Sequence, residues 1–419
     1  MKRSLTSRGS HTFYFYLGAF AFAGLTPFIL LPVLTNHLSP AHFGAVTSFI
    51  IWTTLLANIA GLCAHGFVSV RFFKVEANKV KVLVASSIAA VALAHVVATS
   101  VLFFFFNNFA QVFDIPIKYL LLGVIASFFV SINLIMLTIF QVTNSAKLYF
   151  YVRSFQALVE LLLCVLFLHT FFADSGSRIY SYTLAILLST ILALFYMKKI
   201  EYIGVKCSYI DSLRLLKFSA PLMPHIVAGT AISNLDRLIV SSSLGAESLG
   251  VYMAAMQIGM AMIVLIDPLN KALMPWLFEQ LQKNCDDVRR VVVKKTYQLY
   301  LVLIFFGVVL YFFANFIFDN IINERYSDAR TLIPWFVAGF VMQGMYYTQV
   351  NYLFYAERTG RLSLITVLVA IIGVLISWQL TSLYELTGAG ASFLINNALM
   401  FFLVWYVSSK TVSMPWSLR

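Results

Sequence analysis

Glu160 sits inside a long apolar run, and Arg153, Gln156 and Glu160 follow i, i+3, i+7 spacing, so the three share one face of a helix. A charge at mid-bilayer costs at least roughly 2.5–3.5 kcal/mol on insertion scales. Polar groups inside apolar runs therefore mark cavities or buried partners. Glu160 reads either as a protonatable acid that couples to a cation in a cleft, or as a carboxyl held by a neighbouring helix. Asp236 and Arg237 lie within eight residues of the end of their run at Leu244, about 12 Å of helix. Neighbours in sequence point roughly 100° apart on a helix, so the two cannot both face one cleft. One of them could meet a phosphate or a cation; the alternative is local ion pairing, with Arg237 snorkelling toward the interface. Asp267 and Lys271, at i, i+4, can pair on one face beside Pro268 and Pro275, which loosen the helix. His65 corresponds to Lys271 at an offset of 206, and the pair would flank a mouth able to admit a diphosphate. The alternative there is a terminal salt bridge.

The segment QGMYYTQVNYLFY, from Gln343 to Tyr355, carries amides beside tyrosines. Flat rings stack on the apolar faces of sugars and amides bond their hydroxyls, which singles out Gln343, Tyr346, Tyr347 and Asn351. An interfacial aromatic belt is the other reading, better suited to Tyr352 and Tyr355. Thr54, Asn58, Gly61 and His65 form a further stripe, fit either for a lumen wall or for packing between helices. Asn396 and Asn397 are weaker candidates of the same kind.

The elements that must hold these residues are membrane spans. The chain has 61% hydrophobic and 11% charged residues and a mean hydropathy of +0.87, where a soluble domain carries roughly 25% charged residues. Apolar runs long enough to cross a bilayer cover 13–34, 44–67, 82–107, 118–140, 150–172, 179–197, 218–243, 250–273, 296–316, 330–354, 362–384 and 389–409. The expected fold is an all-α membrane protein of about twelve transmembrane helices in two six-helix lobes with a central cleft. Continuous rather than alternating runs exclude a β-barrel. The first run is too long for a cleaved signal peptide and lacks a small-residue cleavage site.

The net charge of +12 does not point to nucleic acid. With the amino terminus inside, the 29 Lys and Arg fall almost wholly on the cytoplasmic face. The exceptions are Lys118, Arg178, Arg325 and Arg330 outside and Arg237 within a span. Both termini are then cytoplasmic, and the basic balance reads as topology and contact with inner-leaflet lipids. The basic connections 198–217 and 277–295 are amphipathic and read as surface helices or as plain connectors. Cys63 and Cys164 lie in spans, Cys207 and Cys285 in cytoplasmic connections, and no pair has metal spacing. There is no Walker loop, no dinucleotide turn and no His-x-x-x-His, so no cofactor or metal is expected. The exterior connections are too short to house a catalytic domain, so no enzyme is expected.

The halves resemble each other. LTNHLSPAHFGAV, from Leu34, matches VSSSLGAESLGVY, from Val240, and FQVTNSAK, from Phe140, matches FYAERTGR, from Phe354, at an offset of 214. Six spans per half places the repeats in one orientation, related by an axis along the membrane normal. The lobes are expected at 1–206 and 207–419, and a cleft between them suits alternating access. A non-transporting scaffold is the bland alternative.

The segment LLKFSAPLMPHIVAGTAISNLDRLIVSSSLGAESLGVYMAAMQIG, Leu215 to Gly259, resembles the seventh-span signature of the polysaccharide-biosynthesis flippases, the O-antigen flippase group of the multidrug/oligosaccharidyl-lipid/polysaccharide exporter superfamily. The matching features are a lysine-phenylalanine-small run, Pro221 and Pro224, Asp236-Arg237, and an outer turn ending at Gly250-Val251-Tyr252. PFILLPVLTNHLSPAHFGAV resembles the family's opening. The resemblance implies a flippase that moves an undecaprenyl-diphosphate-linked oligosaccharide across the bacterial inner membrane. It also implies coupling to an H+ or Na+ gradient, and work beside a polysaccharide polymerase and a chain-length regulator. On that reading Arg237, Lys271, His65, Gln343, Tyr346, Tyr347 and Asn351 bind substrate, and Glu160, Asp236 and Asp267 couple to the cation. Span one carries no Arg or Lys, unlike the lipid II flippases of the superfamily. A drug/cation antiporter of the same superfamily is a rival, although the first spans lack its usual acids. A membrane polymerase or glycosyltransferase is another, disfavoured by the short outer loops.

Overall fold

A computed structural model describes the backbone of residues 3–170, 173–283 and 285–417. Side chains are described for these residues except 3–13, 77, 78, 225, 228, 231, 232, 272 and 359. Lys2 and Arg419, two of the charges behind the expected cytoplasmic termini, lie outside the described residues. The described chain is helical and holds no strand. In order, the helices are α1 (Arg3–His37), α2 (Pro40–Ile59), α3 (Ala64–Phe72), α4 (Ala77–Phe104), α5 (Phe106–Phe113), α6 (Ile117–Val142) and α7 (Ala146–Thr170). They continue as α8 (Ser175–Lys199), α9 (Tyr209–Ser219), α10 (Met223–Gly259), α11 (Ala261–Gln282), α12 (Asp286–Asn320), α13 (Ala329–Tyr355) and α14 (Thr359–Thr411).

Nine stretches among the described residues are long and apolar enough to cross a membrane. Two of them, Ser233–Gln282 and Gly360–Thr411, run to 50 and 52 residues. Each is about twice what one crossing needs, and each contains a backbone break, at Gly245 (φ 83°) and at Glu385 (φ 51°). These are the two turns expected at Leu244–Leu249 and Glu385–Gly388. Beyond Glu385 the chain doubles back: Asn396 Nδ2 donates to Ser377 Oγ at 3.2 Å. The apolar window of α12 is only 17% buried and that of Gly360–Thr411 only 28%. Apolar surface on that scale requires lipid around it.

Three sequence expectations change. The second run is not one helix. Leu62 and Cys63 take positive φ, so α2 ends at Ile59 and α3 starts afresh, and Thr54, Asn58, Gly61 and His65 do not form one stripe. A Cβ on Gly61 would stand 2.0 Å from the Ala57 carbonyl oxygen, which is why glycine occupies the bend. The connection 277–295 is not a separate surface helix; it is the end of α11 and the start of α12. The connection 198–217 starts with the end of α8 at Lys199 and is helical again only from Tyr209, as α9.

The chain packs as two compact units, Met1–Ser242 and Ser243–Arg419. In the first, α6 is the central helix, packed on α2, α3, α4 and α8. Trp52 Nε1 donates to the Leu120 carbonyl at 2.9 Å, and Asn133 Nδ2 to Ser189 Oγ at 3.0 Å. Both satisfy polar groups that lipid would leave stranded. In the second unit α13 packs on α11, α12 and α14. There Gln349, fully buried, joins three helices: its Nε2 donates to Tyr300 Oη at 2.6 Å, and its Oε1 accepts from Ser408 Oγ at 3.1 Å.

Several helices end in one backbone geometry. Asn144 and Glu357 each end a helix with positive φ. In each case the following N–H reaches back five residues, Ser145 to the Phe140 carbonyl (2.7 Å) and Arg358 to the Leu353 carbonyl (2.9 Å). Glu201 closes α8 in the same way, with the Tyr202 N–H on the Met197 carbonyl at 3.0 Å, so this is a helix stop the chain uses repeatedly.

Candidate functional site

In the first unit the face carrying Arg153, Gln156 and Glu160 on α7 turns toward α1. Together with Ala23, Thr26 and Pro27 these residues line a cavity of about 110 Å³. Pro27 has no N–H, so it cannot return a helical bond to the Ala23 carbonyl in the cavity wall. Glu160 does not face an open cleft as a solitary acid. Its Oε1 accepts a 2.5 Å bond from Arg178 on α8, and both side chains are nearly inaccessible. The charge pattern of the sequence assigns Arg178 to the exterior face, near the start of its span. It is buried instead, at 7% exposure, and its charge is directed inward. Its second terminal nitrogen and Gln156 Oε1 are buried with no hydrogen-bond partner among the described residues. The cavity thus presents one carboxylate, engaged by Arg178 from α8, together with the Arg153 guanidinium and an amide oxygen ready to accept. Such a set can hold an anion or move a proton, and it offers no metal cage; among the described residues no group of three or more His, Cys, Asp or Glu stands ready for a metal ion.

Asp236 and Arg237 also belong to the first unit, on α10. Arg237 donates to Asn234 Oδ1 at 2.7 Å, one helical turn back. Asn58 on α2 donates to Thr230 on α10 at 2.8 Å, so this amide of the expected stripe packs two helices together. His65 stands exposed in the first turn of α3.

The remaining candidates gather in the second unit. Lys271 donates to Asp267 Oδ2 at 2.6 Å along α11, with both side chains about half exposed or more. Facing α11, Asn351 on α13 donates to Asn270 Oδ1 at 2.8 Å. Asn351 and Asn270 line a small cavity of about 50 Å³ with Lys295, Thr296 and Trp276. Further along α13, Gln343 Nε2 bonds Tyr347 Oη at 3.4 Å, its Oε1 is buried with no partner among the described residues, and the Tyr346 and Tyr347 rings lie 5.5 Å apart. The unit therefore brings a lysine, amides and two tyrosines to α11 and α13. Sequence reasoning missed Arg178 and Asn270. A charge near a span end reads as topology, and a lone amide in a Pro-flanked helix carries no pattern.

This all-helical architecture, with polar groups buried inside membrane-length helices, is that of a multi-pass membrane protein. It superposes on the lipid II flippase MurJ in an inward closed conformation with a TM-score of 0.70, at 15% identity over 94% of this chain and 87% of that one. It is similar also to an inward-facing multidrug resistance MATE family transporter of the MOP superfamily, with a TM-score of 0.66 at 12% identity, over 95% of this chain and 98% of that one. The chain belongs to the polysaccharide biosynthesis protein family, whose sequence profile matches residues 11–282. Among curated proteins it is 21% identical to a protein of the Lsg locus of Haemophilus influenzae, over 92% of this chain and 94% of that one. A second H. influenzae relative, named as an uncharacterized membrane protein, is 25% identical over 83% of this chain and 84% of its own length.

Proposed function

We propose that this chain is a flippase, not an enzyme, that carries an undecaprenyl-diphosphate-linked oligosaccharide across a bacterial inner membrane by alternating access of two six-helix lobes, 1–206 and 207–419. The observation that carries the reading is the company kept on α11 and α13: Lys271 with Asp267, two amides and a tyrosine pair in one unit of a polysaccharide-biosynthesis family member. Phosphate needs cations once its water is displaced, and a sugar needs flat rings and amides. Lys271 acts as a point charge that a diphosphate can draw from Asp267, while Arg237 can grip phosphate with two parallel bonds. His65 would add a third group at the cytoplasmic mouth. Gln343, Tyr346, Tyr347 and Asn351 would hold the sugar. Glu160 is the proposed coupling acid for H+ or Na+, with Asp236 and Asp267 as further candidates. A polysaccharide polymerase and a chain-length regulator would receive the product.

The experiment is surface display. Arg237→Ala and Lys271→Ala should each abolish surface polysaccharide while the protein reaches the membrane at its normal level. The lipid-linked unit should then accumulate on the cytoplasmic leaflet. Arg237→Lys should restore display partly if the contact is two-pronged and wholly if charge alone matters. Normal display in both alanine variants would remove these two residues from the substrate site.

A further inference from the structure

The first unit carries a second polar site, away from the Glu160 cavity. Helices α3 and α9 enclose a groove of about 360 Å³ lined by Arg71, Lys74, Arg214 and Lys217 over Phe67, Val70 and Phe218. The groove is built rather than incidental. Leu215 of α9 is fully buried, and Ser219 Oγ donates to the Leu62 carbonyl in the bend that precedes α3. At the other end of α9 the Ser208 N–H donates to Ser86 Oγ on α4 at 2.7 Å. The Phe67 and Phe218 rings meet with centroids 5.6 Å apart and form the floor.

The charge in this groove is not balanced from within. Arg214 pairs with Asp211 at 3.0 Å. No carboxylate among the described residues lies within ion-pair distance of Arg71, Lys74 or Lys217. Arg71 Nε is moreover buried with no hydrogen-bond partner among the described residues. Cations held this close repel one another unless an anion joins them, and a buried guanidinium N–H calls for an acceptor. The surroundings are apolar. On α9 Tyr209 is 77% and Ile210 59% exposed, and Val70 in the groove wall is 46% exposed. An exposed apolar stripe beside a basic cluster is the composition of a helix lying in the membrane interface.

We propose that the α3–α9 groove binds the phosphate headgroup of a membrane lipid, with the chain of that lipid resting on Phe67, Val70 and Phe218. The site goes beyond the flippase reading and requires only that the chain sit in a bilayer. Two lipids share the chemistry: an anionic phospholipid of the surrounding leaflet and a polyprenyl diphosphate. Either would place phosphate oxygens against Arg71 and the two lysines.

The test uses the full chain in nanodiscs of phosphatidylcholine, titrated with cardiolipin, undecaprenyl diphosphate or inorganic diphosphate, with binding read by native mass spectrometry. Wild type should retain cardiolipin or undecaprenyl diphosphate selectively, and binding should weaken as salt rises. Lys74→Gln/Lys217→Gln, at two exposed positions that leave the packing untouched, should weaken retention about tenfold or more. Phe218→Ala should weaken both lipids and leave the response to salt in place. Preference for undecaprenyl diphosphate over cardiolipin would assign the groove to the carrier lipid, and equal or weaker retention would assign it to bulk anionic lipid. Equal lipid retention in wild type and the double lysine variant overturns the proposal. So does inorganic diphosphate binding as tightly as either lipid, because the apolar floor would then contribute nothing.

Discussion

At the scale of single residues, the pair of Glu160 and Arg178 decides how the first unit's cavity behaves. Removing one partner leaves the other charge buried alone, which costs about 3–5 kcal/mol. Glu160→Gln and Arg178→Gln should each lower the melting temperature of the purified protein, and Glu160→Gln/Arg178→Gln should recover most of the loss. Additive losses in the double variant would show that the two side chains are not coupled. The same double variant separates structure from ion coupling, since it removes the acid without changing the net charge around the cavity. Transport that still follows pH in that background would leave Glu160 with a packing role only. Spacing alone made the α7 face legible, because i, i+3, i+7 is a property of any helix, and it did place Arg153, Gln156 and Glu160 on one cavity wall. The partner was not legible. Arg178 is 18 residues away on the next helix, and only the depth at which α8 packs on α7 tells an inward-turned arginine from an interfacial one.

At the scale of elements, helix breaks carry the information that hydropathy blurs. Runs of apolar residues marked where the chain crosses, and Gly245 and Glu385 turned where short polar interruptions were expected. The bend at Leu62 and Cys63 was invisible because its residues are as apolar as the helices on either side. It separates α2 from α3 and thereby aims Phe67 and Arg71 toward α9. Gly61→Ala should test how firmly the bend is held. The added methyl meets backbone, at the Ala57 carbonyl, and cannot be relieved by a rotamer change. A loss of about 1–3 kcal/mol is expected from such overpacking, seen as a lower melting temperature and a smaller membrane-inserted yield. Gly66→Ala, where a Cβ meets nothing within 4 Å, should be silent in the same assay. Equal melting of the two variants would mean that the bend can relax freely.

At the scale of the molecule, orientation can be read from the protein's own thiols. Cys207 and Cys285 are exposed, one in each unit, whereas Cys164 is buried. An impermeant maleimide should label neither exposed thiol in intact cells and both after the membrane is opened. Ready labelling of Cys207 in intact cells would invert the topology. The cation distribution makes this expected orientation legible in the amino-acid sequence, since it depends only on counting charge between apolar runs. Which candidate residues share a unit was not legible. Arg237 and Lys271 belong to different packing units although they lie in adjacent apolar runs, because the division falls at Ser242, inside α10.

The inward-turned Arg178 has a consequence for biogenesis. In the expected orientation only a few cations must be carried outward as the chain is inserted, against a potential that opposes each by about 2.3 kcal/mol per 100 mV. Arg178 is matched by Glu160, and Arg330 by Asp319 at 2.6 Å. A pair that crosses together carries no net charge through the field. The α7–α8 hairpin can therefore be threaded outward with little electrical work. In Glu160→Gln the Asp174 carboxylate at the start of α8 would be left to offset Arg178, so the electrical work of insertion would rise only by the share of the field that Glu160 itself crosses.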